Sequence, residues 1–308
     1  MPTKTKAPAK AAGSEKADRK APARAAKANG SPKTATTSAA SKSGKTATTS
    51  AASKNDKTAK APKTRMSLAE VMKGLEAAGA EKTRQTYLRQ GAQGPVFGVA
   101  FGTLKQYVNK IGIDHDLALQ LWDTGNVDAR HLAAKLVDPA EITPAVLDRW
   151  AKESSWQWCM TYAAAVAGES PHGKSRADAW LASRHDGQRA VGWYLVGTLA
   201  TLDPELPDSW FEKRIAEIEK TVSTASNAQR GAMNQALIQI GGRNAALRRA
   251  VLAAAKRIGT IEVDHGDTSC KTPDPAPYLA KMWERSDKMG FASPAAQERA
   301  RESMRTRC

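Results

Sequence analysis

Residues Leu117 to Pro139 read LALQLWDTGNVDARHLAAKLVDP, and this stretch decides the fold. Leu117 and Leu121 are four apart, as are Leu132 and Leu136, with alanines between them. That is the period of helices carrying one buried stripe. Asp116 and Asn126 stand where N-caps belong, Thr124-Gly125-Asn126 supplies the turn, and Asp138-Pro139 ends the second helix. Two helices this short cannot bury their apolar faces alone. Each pair must stack on another, so the pattern predicts a solenoid of helical pairs.

The same signals continue outward. Ser67-Leu68-Ala69-Glu70 is a capping box opening a first helix that Gly79 closes, and a second runs over about 81–90. Leu104, Val108 and Ile111 mark a third. Thr143-Pro144, a cap followed by proline at the first helical position, opens another that reaches Trp150. Further helical patterns cover about 154–167, 175–184, 188–202, 208–222, 228–240 and 244–258. Val263 to Pro277 breaks the pattern, helix resumes to Met289, and Ser293-Pro294 caps a last one. Period-two alternation is confined to a brief Thr260–Val263, so the fold class is all-α.

Composition divides the 308 residues unevenly. Residues 1–65 hold 16 Lys and Arg against 3 Asp and Glu, so +13 of the formal +16 lies there. They contain no Trp, Phe, Tyr, Ile, Leu or Val, so there is almost nothing to bury against the entropy of ordering, and a disordered tail is expected. KTATTSAASK occurs at both 33–42 and 45–54, a low-complexity repeat too short for a solenoid unit. Lysines spread among Ala, Thr, Ser and Pro resemble the basic tails of histone-H1-like bacterial proteins. Such a tail attracts nucleic acid by counterion release, without sequence preference. Residues 66–308 are expected to form the folded domain.

Other classes are disfavoured. The N-terminus lacks an apolar signal core, and the longest apolar run, Ala190–Leu202, is too short to span a bilayer, so no membrane partner is expected. Cys159, Cys270 and Cys308 are odd in number and widely spaced, which suits neither a disulfide framework nor a zinc site. A monomer in a reducing bacterial cytoplasm, associated with the nucleoid, is expected.

LALQLWDTGNVDARHLAAKLVDP, the Trp-rich ESSWQWC at 153–159, AMNQALIQIGGRN at 232–244 and IGTIEVDHGDTSCKTPDPAPYLAK at 258–281 together resemble the AlkD-like DNA alkylation repair family of HEAT-repeat proteins. The last string looks like the C-terminal signature of one bacterial branch. The likeness covers most of residues 66–308 and excludes the tail. It implies a HEAT-like stack of antiparallel helix pairs whose concave face holds double-stranded DNA and excises N3- and N7-alkylated purines. That chemistry requires no metal or cofactor. Alkylation makes the base a cationic leaving group, and the sugar then develops oxocarbenium character. A carboxylate and aromatic faces stabilise the cation.

Carried over residue by residue, the family's catalytic Trp falls on Trp156, but the Asp expected four positions later falls on Met160. A DNA-holding Arg falls on Arg189, and a second Trp would fall near Gln239. Loss of a carboxylate beside a developing cation removes several kcal/mol, roughly 100-fold or more in rate. Glu153 shares a helical face with Trp156 and Met160 and is either a substitute anion or an ordinary helix-start glutamate. Trp122, Trp150, Trp158, Trp180, Trp193 and Trp210 read as packing residues between repeats, whereas the resemblance puts Trp156 on the concave face. Asp128 and Arg130 read as an intramolecular cap or ion pair.

Two further groups of candidates remain. Arg243, Arg248, Arg249, Lys256 and Arg257 crowd one late helix, and Arg184 and Arg189 flank Asp186-Gly187; these are expected to grip phosphates. Asp264, His265, Asp267, Cys270 and Lys271 fall in one segment. It reads as a polar loop bonding its own backbone, as a site on the DNA groove, or as a metal site, though its spacing matches no zinc signature. The functions in play are an alkylpurine DNA glycosylase, a non-catalytic DNA-binding protein and a protein-binding scaffold.

Overall fold

Most helices begin at a residue whose side chain accepts from the first turn. In the computed structural model Ser67 forms a complete capping box with Glu70 at the start of α1 (Leu68–Ala77), and α2 is Glu81–Arg89. Then come α3 (Phe101–Ile111), α4 (His115–Asp123), α5 (Val127–Leu136) and α6 (Pro144–Glu153). The order continues with α7 (Gln157–Glu169), α8 (Gly173–Leu181), α9 (Asp186–Leu202) and α10 (Asp208–Thr221). It ends with α11 (Asn227–Gly241), α12 (Ala245–Ile258), α13 (Pro275–Lys288) and α14 (Pro294–Arg299). Residues 63–301, 303, 305 and 306 are described, and no strand occurs among them. Residues 1–62 of the expected basic tail lie outside the described residues.

Asn126 and Thr143 cap as the sequence suggests, by accepting from Ala129 and Val146. The cap of α4 is corrected: Asp114, not Asp116, accepts from Leu117, which leaves Asp116 in the first turn. Both carboxylates suit a helix start, and only the chain path through Gly112, at φ +76°, decides between them.

The helices form two rows. α3, α5, α7, α9, α11 and α13 pack side by side in sequence, and α9, the longest, contributes the most buried residues. The pairs α4·α5, α6·α7, α8·α9 and α11·α12 join this row to a second one. The second row is stitched by indoles bonded to carboxylates. Trp180 of α8 donates to Asp148 of α6 at 2.6 Å, and Trp210 of α10 to Asp178 of α8 at 3.1 Å. Trp122 of α4 donates to Glu153 of α6 at 2.6 Å, with its ring stacked 4.0 Å from Trp150. Trp122, Trp150, Trp180 and Trp193 are fully buried; the indole N–H of Trp122 and of Trp180 is bonded to a carboxylate, whereas that of Trp150 has no partner among the described residues.

Asp128 is wholly buried and accepts from the backbone of Phe97, Gly98 and Val99 at 2.7–3.1 Å. It fixes the connection between α2 and α3. After α14 packs back on α9, the chain runs across the ends of α7 and α5. Arg305 there meets Glu169 at 3.0 Å and donates to the Lys135 carbonyl at 2.6 Å, while Lys135 donates back to the Arg305 carbonyl at 3.0 Å.

Candidate functional site

A cavity of about 580 Å3 opens on the α7–α9–α11 row. The end of α2 supplies Arg89 and Gln90, the start of α7 supplies Ser155 to Trp158 and Met160, α9 supplies Tyr194, and α11 supplies Asn227 and Gln235. Its far wall is the segment between α12 and α13, from Val263 to Pro273. Thus residues almost two hundred positions apart in sequence share one chamber.

That wall is fastened to α11. Asn227 forms a double amide clamp with the backbone of Asp264, donating to its carbonyl and accepting from its N–H, each at 2.7 Å. Asn234 donates to the Pro273 carbonyl at 2.9 Å. Within the segment, Asp264 accepts from the Gly266 N–H at 2.8 Å, Thr268 donates to the His265 carbonyl, and His265 Nε2 lies 3.0 Å from Thr272 Oγ1. These are the self-bonding turns expected of Asp and Thr in a tight loop. Gly266 has φ +61°, and a Cβ placed on it would lie 3.6 Å from the Arg89 carbonyl, so the segment also reaches the end of α2. Among the described residues no cluster of His, Cys, Asp and Glu is arranged to hold a metal ion.

Trp156 and Trp158 both line the cavity, but they differ in exposure. Trp156 is only 3% exposed, and its ring packs 4.8 Å from Tyr87 and 5.1 Å from His131. Trp158, expected to pack between repeats, is 39% exposed and is the more open of the two indoles in the cavity lining. The reason is local: Trp156 is the N-cap of α7 and turns inward towards α2, whereas Trp158 sits in the first turn with Phe101 and Tyr162 behind it. Tyr194 lies on the cavity floor, where burial pushes its phenol well above the ordinary range. It stays a neutral hydroxyl.

Glu153 does not line the cavity. Its Oε2 accepts from Trp122 Nε1 and from Arg130 Nη2 at 3.0 Å, so the carboxylate is used to join α4, α5 and α6. Met160, the position onto which the resemblance carries an aspartate, does line it. Gln239 lies against Gly197 in the α9–α11 contact and accepts from Thr201 at 3.1 Å, which commits that position to packing.

The basic residues are redistributed. Arg243 is 8% exposed and donates to the carbonyls of Ala200, Asp203, Pro204 and Leu206, besides pairing with Asp208. It closes the α9–α10 turn and has no donor to spare for phosphate. Arg248 covers the Trp283 ring at 5.1 Å, and Arg257 pairs with Glu219. Arg249 and Lys256 are exposed on α12, outside the cavity lining. Arg189 is held by Asp186 and the Ser183 carbonyl, and Arg184 beside it is exposed. The cations that reach the cavity are Arg89 and Lys271, both exposed. Of the segment 264–271, Asp264, His265, Cys270 and Lys271 line this cavity, while Asp267 lines a second opening between the segment and the end of α2. Sequence reasoning singled out Lys271 but passed over Arg89 and Gln235; nothing local marks them, because only the closure of α2 onto the segment makes them neighbours.

No helix among the described residues is long and apolar enough to cross a membrane. The profile of the family described as DNA alkylation repair enzyme matches residues 70–267, ending inside the segment that walls the cavity. Uncharacterized protein Lin0241 of Listeria innocua serovar 6a is 27% identical over 194 residues, covering 62% of this chain and 84% of that protein. Uncharacterized protein Lmo0209 of Listeria monocytogenes serovar 1/2a is 26% identical over 195 residues, covering 62% and 85%. A solved structure described as belonging to a new family of proteins related to the HEAT-like repeat DNA glycosylases, with affinity for branched DNA structures, matches with a TM-score of 0.67. It is 27% identical to this chain, of which the match covers 74%, and 98% of the solved chain.

Proposed function

Because the chain belongs to the DNA alkylation repair enzyme family, we propose that it binds DNA across the α7–α9–α11 face and recognises damaged or distorted structure there without the family's efficient base excision. The observation that carries this reading is the cavity itself. It presents two indoles, a phenol, amides and two cations, but at the position where excision needs a carboxylate it presents Met160. A thioether cannot stabilise an oxocarbenium ion electrostatically. Glu153 is bonded to Trp122 and Arg130, which supports its role as a joint between repeats. The solved relative's affinity for branched DNA supports structure recognition as the retained activity.

A second reading rests on Asp264, the carboxylate that does line the cavity. One of its oxygens is tied to Gly266, yet the group faces the same chamber as Trp158. It would serve a glycosylase in which the loop supplies the anion that the helix has lost.

One experiment separates the two. The full chain is titrated with plain, nicked and branched duplexes at low and moderate salt, and duplex carrying 7-methylguanine is followed for base release. Binding with a steep salt dependence and no enzyme-dependent release is the expected result. Release that Asp264→Asn abolishes would establish the second reading, and no binding to any DNA at either salt would defeat both.

A further inference from the structure

We propose that the cavity between Trp158, Tyr194 and the 263–273 segment takes an unpaired DNA nucleotide, such as the first base of a flap or branch, and not a stretch of paired duplex. This inference rests on the DNA-binding reading above and specifies what the site holds.

Size is the first argument. About 580 Å3 is the volume of a pocket for one compact ligand, within the roughly 300–1,000 Å3 range of small-molecule sites. A helical turn of duplex needs an open trough. Here the trough is crossed by the chain's own segment, which is pinned to α11 by Asn227 and Asn234 and comes up against the end of α2 at Gly266. The pins sit near both ends of the segment, so the wall is a fixed part of the site.

Lining chemistry is the second. Trp158 is one of few large hydrophobic side chains left exposed, and Phe101 at 5.5 Å supports its ring from the side. An indole held in place with one surface open is a stacking platform that accepts any base. The Tyr194 hydroxyl and the side-chain amides of Gln157 and Gln235 belong to the same lining and make no hydrogen bond among the described residues. Donors and acceptors left unspent in a partly closed cavity suit the Watson–Crick edge of a base, which only an unpaired nucleotide offers. Arg89 at the end of α2 and Lys271 in the segment supply cations for the flanking phosphates. One oxygen of the lining carboxylate, Asp264, is already engaged by the Gly266 N–H.

The test compares the full chain and two variants on three fluorescent DNAs: a blunt duplex, the same duplex with a short single-stranded flap, and a flap carrying 2-aminopurine as its first unpaired base. The unmodified chain is expected to bind the flap about 10-fold more tightly than the blunt duplex, near the low end of what one base–aromatic stack contributes. It should also quench the 2-aminopurine. Trp158→Ala should remove both the preference and the quenching, so that flap and blunt duplex bind alike, and Trp158→Phe should restore the preference. Circular dichroism melting of each variant checks that the fold is intact. Equal affinity for flap and blunt duplex in the unmodified chain overturns the proposal and leaves DNA binding standing. So does a Trp158→Ala variant that weakens both DNAs alike. Absence of binding to every DNA defeats the underlying DNA-binding reading instead.

Discussion

His131 shows how much one buried residue constrains the molecule. It is fully buried among Tyr87, Phe101, Trp156 and Tyr162, and neither ring nitrogen has a partner among the described residues. Burial, followed by the nearby Lys135 charge, pushes its pKa down to about 3. The folded state therefore keeps the imidazole neutral where the unfolded chain would protonate it, below about 6.5. Stability contributed by the neutral ring is present above pH 6.5 and is lost as pH falls towards 3. Urea denaturation should show a loss of roughly 2 kcal/mol between pH 7.5 and 5 that His131→Phe removes. An unchanged pH slope in the variant would show that the ring is solvated. Burial of this kind was not legible in the sequence, where His131 stands alone in a helix. Charge was no better guide at single positions: Arg243 resembles its neighbours on α12, but it is buried on four carbonyls while Arg249 is exposed.

Elements were far more legible than sites. Caps at Ser67, Asn126, Thr143 and Ser293 are local, because a side chain three residues from an N–H reaches it regardless of the rest of the fold. The alanine-rich spacing of α5 likewise reports a helix packed on most sides, and nine of its ten residues are buried. What local pattern could not show is how the last stretch of chain is used. Arg305, 4% exposed, lies between Glu169 at the end of α7 and the Lys135 carbonyl in α5, a separation of well over a hundred residues. Removing one partner of a buried pair leaves the other uncompensated. Arg305→Ala is therefore expected to lower the unfolding free energy by about 3 kcal/mol, read as a shift of the urea midpoint at pH 7. A midpoint that does not move would mean that the terminal segment does not brace the α5 and α7 ends. Trp158 is not touched by this change, so flap binding by the folded variant should persist.

At the scale of the whole molecule, charge and shape divide the work of binding. Residues 66–308 carry only +3 of the formal +16, and their cavity contributes Arg89 and Lys271. Two cations fix a register on the backbone but give a shallow dependence on salt, since the slope grows with the number of phosphates neutralised. Residues 1–62 hold 14 Lys and Arg against 3 Asp and Glu, and their charge is spread along a stretch with no Trp, Phe, Tyr, Ile, Leu or Val. We expect that segment to supply the sequence-independent, salt-sensitive part of affinity and the helical stack to supply the structural preference. Deleting residues 1–62 should then weaken blunt duplex and flap by the same factor, and should flatten the plot of log affinity against log salt for both. The ratio between flap and duplex should survive, because it arises at Trp158. If the deletion instead abolishes the ratio, the tail and not the cavity distinguishes the two DNAs. If the slope is unchanged, the tail does not contact DNA, and the cations of the helical stack carry the whole electrostatic attraction.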